Sequence, residues 1–463
     1  MVAAEAERDE LSMKPGAQKY EGPRDQESFT EDAGALFVLE SKGTWKHAGF
    51  HLTTSIAGPT LLSLPYAFAG LGWEYGPIMV VLGALVTFYA YNLLAVVIEE
   101  LAAKGRRPLR FQDLGEDIIG PWFGRGAVLP LQLTFCVGAV IIGILLGGIS
   151  MKIIYKLYSP DGDLKLYHFI IIFGFLILLT GQLPSFHSLR HIDLLSLILT
   201  LLYSFVVAGA SIYLGHSDKA PPRDYGLKGT ETQKIFRAFN SLSLISGSYS
   251  NGIIPEIQAT LAPPVTGKMF KGLIVCYTVV CFTFFSVSFS GYWAFGNLAS
   301  SNIFSNFQLP DGTSLVPDLL IVLPNALVIL QIVAITVVYC QPTFDLLERN
   351  TADVKQPRYA LRNWFPRLVV RSTFICLTVL VAAMFPFFGD VGALLGAFAC
   401  TPLDFVFPML FYIMLFKPPK TSIKFWGNLV IIVVYSSVGI IGVVAAIRQL
   451  ILDTSTFKLF ADL

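Results

Sequence analysis

Long apolar runs separated by short polar stretches make up most of this chain. The first 46 residues are polar, carry charges of both signs and contain Pro and Gly, a composition typical of a disordered tail. After them the hydropathy pattern separates about eleven segments, each near the roughly 20 residues that a helix needs to cross a bilayer. They lie at about 47–70, 76–99, 127–150, 167–183, 192–214, 236–260, 272–295, 317–341, 369–388, 391–414 and 426–448.

These runs predict transmembrane helices rather than strands. A lipid-exposed open strand would leave unpaired peptide groups in hydrocarbon, and a barrel would show alternating segments of about ten residues. The predicted fold is therefore all-α and integral to the membrane. It has a disordered cytoplasmic N-terminal tail at 1–46, a transmembrane domain at 47–448 and a short extracytoplasmic C-terminal tail at 449–463.

The composition also indicates that the lipid bilayer is a partner of this protein. Hydrophobic residues make up 54% of the chain, charged residues only 14%, and the mean hydropathy is +0.63; a typical soluble protein has about 25% charged residues. The net charge of +1 provides no basic field that would attract nucleic acid. The six cysteines all lie in apolar runs without C-x-x-C spacing, so we predict neither a disulfide framework nor a metal site.

The distribution of basic residues predicts the orientation. With a cytoplasmic N-terminus, the inward loops and tail hold 23 of the 33 Lys and Arg residues and the outward loops hold 10. This bias and the odd number of spans place the C-terminus outside. The outward loop at 215–237 runs against the bias because it carries five basic residues.

Two predicted spans contain residues that interrupt a helix. Gly and Pro stand beside hydroxyl or amide residues in the first and the sixth span, and such backbone is tolerated at membrane depth where it lines a cavity. Because these spans correspond in two five-helix halves, we predict an inverted-repeat transporter with a midplane site. The alternative is that they are incidental kinks, since Gly and Pro are common in membrane helices. The predicted substrate-binding residues are Ser55, Ile56, Ala57, Gly58, Pro59, Thr60, Ser246, Gly247, Ser248, Tyr249, Ser250, Asn251 and Gly252.

Such breaks suit a small zwitterion. A half-helix that starts after Gly58 presents N–H groups and a positive dipole end to a carboxylate, while carbonyls freed around Gly247 to Gly252 accept from an ammonium group. An amino acid is therefore the predicted substrate, and the site requires no charged side chain.

Few ionisable residues lie within the spans, and each needs a reason to be there. Glu256 follows the sixth-span break, where burial would favour its protonated form, so it is the leading candidate for a proton-coupling residue. The alternative is a gate carboxylate paired with a cytoplasmic Arg or Lys. Asp404 is a second candidate for the proton, although its flanking prolines favour a role in capping backbone. His47 and His51 share a helix face and are either structural or proton-sensing.

No sequence motif indicates an enzyme. The phosphate-binding G-x-x-x-x-G-K-[ST] pattern, H-E-x-x-H and G-x-S-x-G are absent from the sequence, so we predict neither enzymatic activity nor a resident cofactor. Two G-x-x-x-G patterns, at Gly143 and Gly392, predict close helix packing.

Several motifs together resemble one family, and the resemblance runs from about Val38 to Leu463. The motifs are Val38-Leu-Glu-Ser-Lys-Gly-Thr-Trp45, Gly49-Phe-His-Leu-Thr-Thr54, Leu64-Pro-Tyr-Ala-Phe68, Leu183-Pro-Ser-Phe-His-Ser-Leu-Arg190, Asn251-Gly-Ile-Ile-Pro-Glu-Ile-Gln-Ala-Thr260, Gly291-Tyr-Trp-Ala-Phe-Gly296, Pro386-Phe-Phe-Gly-Asp390, Pro402-Leu-Asp-Phe405 and Lys458-Leu-Phe-Ala-Asp462. Taken together, they resemble the plant amino acid/auxin permease family, and within it the branch of GABA transporters and probable GABA transporters.

The resemblance implies a proton-coupled importer of GABA or a related amino compound, usually in the plasma membrane. It implies eleven spans in the leucine-transporter-type fold and places substrate at the two breaks. If the coupling ion is instead sodium, as in relatives with this architecture, Thr336 is the candidate hydroxyl ligand. A transporter with broad or proline specificity and an amino-acid sensor that signals through the tail remain open alternatives.

Overall fold

The computed structural model describes residues 43–182, 190–262, 265–353, 355–357, 359–456 and 460. Fourteen helices in these ranges are numbered here in chain order. They are α1 Trp45–Ile56, α2 Leu64–Ala103, α3 Phe111–Ile118, α4 Leu129–Tyr158, α5 Leu166–Thr180, α6 Arg190–His216, α7 Glu231–Tyr249, α8 Ile254–Ala259, α9 Lys268–Phe295, α10 Leu319–Thr351, α11 Leu361–Met384, α12 Phe388–Leu395, α13 Phe407–Phe416 and α14 Ile423–Thr456.

Shorter helical turns join some of these helices. A 3₁₀ turn at Pro59–Ser63 lies between α1 and α2, and a helical turn at Pro121–Phe123 followed by a π segment at Gly124–Val128 leads into α4. A longer π segment at Gly396–Val406 connects α12 to α13. Apart from two isolated β-bridges, the described residues form no β structure.

The helices agree with the predicted spans. Eight stretches of the described chain are long and apolar enough to cross a membrane. One of them covers α1 and α2, and it divides at Gly72, whose positive φ of 72° kinks the chain where the sequence predicts a loop. The shorter α5 and the less apolar pair α7 and α8 supply the spans predicted at 167–183 and 236–260. The prediction of eleven spans is thus confirmed.

The boundaries of the predicted tails differ from the helix ends. Residues 1–42 of the predicted N-terminal tail lie outside the described residues, and α1 begins at Trp45, just before the predicted start of the first span. At the other terminus α14 continues past the predicted limit of 448 to Thr456. The first part of the predicted C-terminal tail is therefore helical.

The connecting segments meet at two ends of the molecule in the sets that the charge count predicts. In the outward set, the Asn297 N–H donates to the carbonyl of Asp224 at 2.8 Å. This contact brings the basic loop at 215–237 together with the outward loop at 296–316. A Cβ built on Gly389 would lie 2.7 Å from the Ser301 Cβ, so the predicted loop at 389–390 reaches the same end.

The inward set meets at the opposite end. The Gly43 N–H donates to the Thr260 carbonyl at 2.7 Å, and the Arg107 guanidinium donates to the Leu261 carbonyl at 2.9 Å. Arg110, just before α3, forms a buried ion pair with Asp345 on α10. The polar layer at this end ties the loop at 100–126 to the loops that follow α8 and α10.

Candidate functional site

The first span is interrupted between α1 and α2. The helix ends at Ile56, Ala57 leaves helical geometry with ψ of 50°, and Gly58 is extended with ψ of 173°. Pro59 then starts the 3₁₀ turn because its missing N–H and fixed φ suit a first helical position. The predicted break at Gly58 is therefore present, although a 3₁₀ turn rather than an α-helix follows it.

Hydroxyl groups from other helices hold the backbone at this break. The Tyr339 hydroxyl on α10 donates to the Ser55 carbonyl at 2.6 Å, and the Thr200 hydroxyl on α6 donates to the Ala57 carbonyl at 3.3 Å. The two hydroxyls supply donors to carbonyl acceptors that the interrupted helix leaves without an intrahelical partner. On the far side of the break, no backbone acceptor in the described part of the chain bonds the Thr60 N–H.

The sixth span is interrupted between α7 and α8, later than the sequence indicates. The prediction places the break from Ser246 onward, but the helix continues to Tyr249 and the non-helical backbone covers 250–253. The Ser250 hydroxyl donates to the Ser246 carbonyl, one of the last four helix carbonyls that lack a regular helical donor, and the Ser248 hydroxyl donates to the Leu244 carbonyl, so both serines are accommodated by a helix that runs to Tyr249. Gly252 has a φ of 62°, a conformation that glycine adopts without strain.

The two breaks touch each other. The Asn251 Nδ2 donates to the Ser55 Oγ at 2.7 Å, and both side chains are buried. This contact joins positions 196 residues apart in the sequence. A direct hydrogen bond therefore joins the break in the first span to the break in the sixth.

A largely enclosed cavity of about 70 Å³ lies beside the two breaks and is called the central cavity here. Eight of the predicted binding residues line it, whereas Ala57, Ser246, Tyr249, Asn251 and Gly252 do not. Its described lining contains no Asp, Glu, Lys, Arg or His. The eight predicted residues at the cavity are Ser55, Ile56, Gly58, Pro59, Thr60, Gly247, Ser248 and Ser250.

The rest of the lining comes from helices that the sequence did not single out. They are α4, α10, α12 and the π segment after α12; Leu244 of α7 and Ser63 of the turn at the first break add single contributions from the two predicted spans. On α4 and α10 the spacing of three or four places the lining residues on one helix face. That spacing can identify the lining residues from the sequence only when the position of the cavity is already known. The residues on α4 are Phe135, Ala139, Ile142, Gly143 and Leu146, and those on α10 are Ile332, Ile335 and Tyr339.

Glu256 on α8 is buried outside the central cavity, with 2% of its surface exposed. Its Oε1 accepts from the Phe111 backbone N–H at 2.9 Å and from the Gln132 Nε2 at 2.7 Å. Its Oε2 is buried and has no hydrogen-bond partner in the described part of the chain. In the described part of the chain the partners of Glu256 are this backbone N–H and this amide rather than an Arg or Lys side chain, and the choice between proton carrier and gate carboxylate stays a prediction.

Asp404 lies in the π segment after α12 and is 1% exposed. Its Oδ1 accepts from the Gly252 N–H at 2.9 Å, and its Oδ2 is buried without a hydrogen-bond partner among the described residues. The expected capping role is present, but the capped backbone belongs to the sixth-span break rather than to the neighbouring prolines. The Gln132 Nε2 also donates to the Gly252 carbonyl at 3.1 Å, so the backbone of Gly252 bonds Asp404 directly and is connected to Glu256 through Gln132.

Thr336 and the two histidines do not line the central cavity. Thr336 on α10 packs its hydroxyl against Gly143 on α4. His51 on α1 is buried, and its Nδ1 lies 2.7 Å from the Asp193 carboxylate on α6. The His47 Nδ1 accepts from the Thr44 N–H and caps the start of α1. The proton-sensing alternative for the two histidines stays a prediction.

Two further spaces follow α4 beyond the central cavity. At one end a small pocket of about 20 Å³, called the Glu256 pocket, is lined by Leu129, Gln132, Leu133 and Glu256 together with the Arg110–Asp345 pair. At the other end an open pocket of about 340 Å³, called the Asp390 pocket, includes Ile149 of α4 in its lining.

Comparison with known proteins identifies the family to which this architecture belongs. Residues 41–451 match the family described as transmembrane amino acid transporter protein. The chain belongs to this family. A relative from Arabidopsis thaliana named GABA transporter 1 is 52% identical over 93% of this chain and 96% of its own. Lysine histidine transporter-like 6 from the same species is 30% identical over 90% of this chain and 93% of its own.

A solved structure shows the same fold. It is a Na⁺-coupled sialic acid symporter in a substrate-bound outward-open state, with a TM-score of 0.51 and 12% sequence identity, and it covers 94% of this chain and 95% of its own. The fold is thus the leucine-transporter-type inverted repeat that the two breaks predict. The family match confirms the resemblance drawn from the motifs. The chain is a transmembrane amino acid transporter, integral to the membrane.

Proposed function

We propose that this protein imports a small zwitterionic amino acid, GABA or a related neutral amino acid, together with protons by alternating access. The observation that carries the proposal is the central cavity between the two breaks, whose described lining holds hydroxyls and backbone but no ionisable side chain. A zwitterion has no net charge, so it can bind in such a site without an ionised side chain as its partner. The 52% identity to a protein named GABA transporter 1 supports GABA as the first substrate to test.

The central cavity suits a compact amino acid. Its volume of about 70 Å³ corresponds to roughly five to seven waters. We place the carboxylate beside the Thr60 N–H at the start of the 3₁₀ turn. We place the ammonium beside Gly247 and Ser248 in the last turn of α7, because the negative end of a helix dipole lies there. Hydroxyls of Ser55 and Ser63 supply further polar contacts at the cavity wall.

Protons are proposed to reach the sixth-span break through its two carboxyl groups. Glu256 and Asp404 each have one oxygen that accepts hydrogen bonds and one buried oxygen without a partner among the described residues. A neutral carboxylic acid is easier to bury in this way than a carboxylate. Asp404 accepts from the Gly252 N–H directly, and Glu256 is connected to the Gly252 carbonyl through Gln132, so adding or removing a proton on either group would change how firmly the break is fixed.

Sodium coupling through Thr336 has less support. A sodium ion at the first break would need backbone oxygens there, and the carbonyls of Ser55 and Ala57 already accept from Tyr339 and Thr200. The Thr336 hydroxyl also faces α4 at Gly143. We therefore propose the proton as the coupling ion.

We propose a plasma-membrane location with the N-terminus cytoplasmic and the C-terminus extracellular. The excess of basic residues on the predicted inward side supports this orientation, and the meeting of the loops in the same two sets supports the topology on which the count is based. The Asp390 pocket would then face the outside and the Glu256 pocket the cytoplasm.

The test is uptake of radiolabelled GABA into proteoliposomes that contain the purified full-length chain. Uptake should accumulate GABA when the outside is acidic, should fall to equilibration when a proton ionophore collapses the gradient, and should be unaffected when sodium is replaced by choline. Unlabelled proline, lysine and glutamate, added at two pH values, define the specificity. Saturable binding without accumulation would identify a sensor, and a strict sodium requirement would reject proton coupling.

A further inference from the structure

The Asp390 pocket differs in chemistry from the central cavity. It lies where the loop after α9 packs against the junction of α11 and α12, and it is open to the surface of the protein. Asp390 is the one ionisable acid in its described lining. The polar side chains that line it are Tyr66, Ser300, Ser301, Asn302, Ser305 and Asp390.

Two of these side chains offer opposite hydrogen-bonding character. Asn302 is 4% exposed; its Oδ1 accepts from the Phe304 N–H at 3.1 Å, while its Nδ2 is buried without a hydrogen-bond partner in the described part of the chain. A buried donor without an acceptor is unfavourable and calls for an explanation. Asp390 is 7% exposed and already takes part in a contact within the fold, but a carboxylate has about four lone-pair sites and retains capacity for a cation.

The pocket also adjoins the central cavity. Phe388 lines both spaces, so the two spaces adjoin at this residue. On α4, Ile149 lines the pocket and Leu146, one helical turn away, lines the central cavity. A ligand in the Asp390 pocket therefore needs only to pass Phe388 to reach the breaks.

We propose that the Asp390 pocket is a recognition subsite that binds amino acid substrates before they enter the central cavity. Asp390 takes the ammonium group and the Asn302 Nδ2 donates to the carboxylate. In the pocket a zwitterion exchanges part of its hydration for these contacts, and it loses the rest only after passing Phe388. A molecule without an ammonium group is discriminated against before it reaches a cavity that has no charge of its own.

This proposal deepens the proposed function and rests on it for the identity of the substrate. Its test reads occupancy of the pocket rather than transport. Ser305, which is exposed at the pocket, is replaced by cysteine in a Cys376→Ser background, since Cys376 is the exposed native cysteine among those described. The rate of labelling by a neutral maleimide is then measured on the purified full-length chain with GABA, n-butylammonium or butyrate.

GABA and n-butylammonium should slow labelling, whereas butyrate should not. Asp390→Asn should raise the concentration needed for protection by roughly tenfold for both ligands that carry an ammonium group, because one charge-assisted contact is lost. Asp390→Glu should keep most of the protection. Gly58→Ala, which alters the central cavity, should keep all of it.

Equal protection in Asp390→Asn would overturn the proposal. If that variant does not fold, Asn302→Ala provides the second test: it should weaken protection by GABA and leave protection by n-butylammonium unchanged, and equal effects on both would also overturn the subsite. Loss of gradient-driven uptake with protection intact would reject only the proposed function. Normal uptake without any protection would reject only the subsite.

Discussion

The backbone of Gly252 shows how a single residue connects the two buried carboxyl groups to the break. Its N–H donates to Asp404, and its carbonyl accepts from Gln132, whose Nε2 also donates to Glu256. Under the proposed proton coupling, a proton on either carboxyl group would act on the geometry of the break from outside the central cavity.

Replacing Glu256 with glutamine should separate proton coupling from substrate exchange. Glutamine keeps an oxygen acceptor for Phe111 and Gln132 but resembles the protonated acid permanently, so a pH gradient can no longer bias the transporter. Gradient-driven accumulation in proteoliposomes should fall to a ratio of about one, while counter-exchange of labelled for unlabelled GABA should continue.

The matched control is Glu116→Gln on α3, whose carboxylate pairs with exposed Arg125 away from the breaks. It should leave both measurements unchanged. Equal loss of accumulation and exchange in Glu256→Gln would assign Glu256 to gating or folding and would contradict the coupling role.

Gly58→Ala should weaken substrate binding with little effect on stability. The added Cβ would lie 2.6 Å from the Ile335 Cδ1, which is the movable end of a side chain at the cavity wall. In the empty protein Ile335 can move into the cavity, so the overpacking cost of about 1–3 kcal/mol arises when substrate fills that space, and the affinity for GABA should fall roughly 5- to 150-fold. Gly209→Ala on α6 is the control, because a Cβ there meets nothing within 4 Å. Unchanged affinity in Gly58→Ala would mean that substrate binds elsewhere.

At the scale of elements, the sixth-span break depends on a glycine that combines two constraints. Gly252 has a positive φ of 62°, and a Cβ at this position would overlap the Phe135 ring on α4. Gly267 at the start of α9 has a similar φ of 70°, but a Cβ there meets nothing within 4 Å. An alanine at either position would therefore have a strained backbone, but only an alanine at 252 would also overlap a neighbouring side chain.

Gly252→Ala should destabilise the protein more than Gly267→Ala. Both variants pay about 1–2 kcal/mol for a left-handed alanine, and only the first adds an overlap cost of about 1–3 kcal/mol. Thermal unfolding of the purified variants in detergent, followed by intrinsic fluorescence, measures the difference. The same shift in melting temperature for both would show that Phe135 moves aside freely and that the break is not braced by α4.

The breaks were predictable because Gly, Pro and hydroxyl residues at membrane depth have a local signature. The remaining walls of the central cavity were not, since Phe135 and Ile335 lie on helices that are apolar on every side. On such helices a residue facing lipid, core or cavity looks the same in sequence. The second break begins later than predicted because serine hydroxyls can bond the carbonyls of a helix, as those of Ser248 and Ser250 do, and residue type alone does not decide between a helix and a break.

At the scale of the whole molecule, α4 runs past all three spaces. Leu133 lines the Glu256 pocket, Phe135 to Leu146 line the central cavity and Ile149 lines the Asp390 pocket, a path of roughly 25 Å along one helix. The spaces at its two ends are unequal, about 340 Å³ at Asp390 and about 20 Å³ at Glu256. This conformation is therefore open at the Asp390 end and closed at the other by the polar layer that includes the Arg110–Asp345 pair.

Cysteine accessibility along α4 tests both this conformation and the proposed orientation. In intact cells that express the Cys376→Ser background, a membrane-impermeant maleimide should label Ile149→Cys and should not label Leu133→Cys, because only the Asp390 pocket opens to the outside.

Inside-out vesicles expose the cytoplasmic face to the same reagent. With substrate and a proton gradient directed from the extracellular to the cytoplasmic face, labelling of Leu133→Cys should rise as the Arg110–Asp345 layer separates. If the reagent instead reached Leu133→Cys from outside the cell and spared Ile149→Cys, the chain would be inserted with its N-terminus outside, and the Glu256 pocket would be the entry side. Alternating access requires the two positions to exchange accessibility, so a substrate-driven change at one position without the opposite change at the other would contradict a single moving gate around the two breaks.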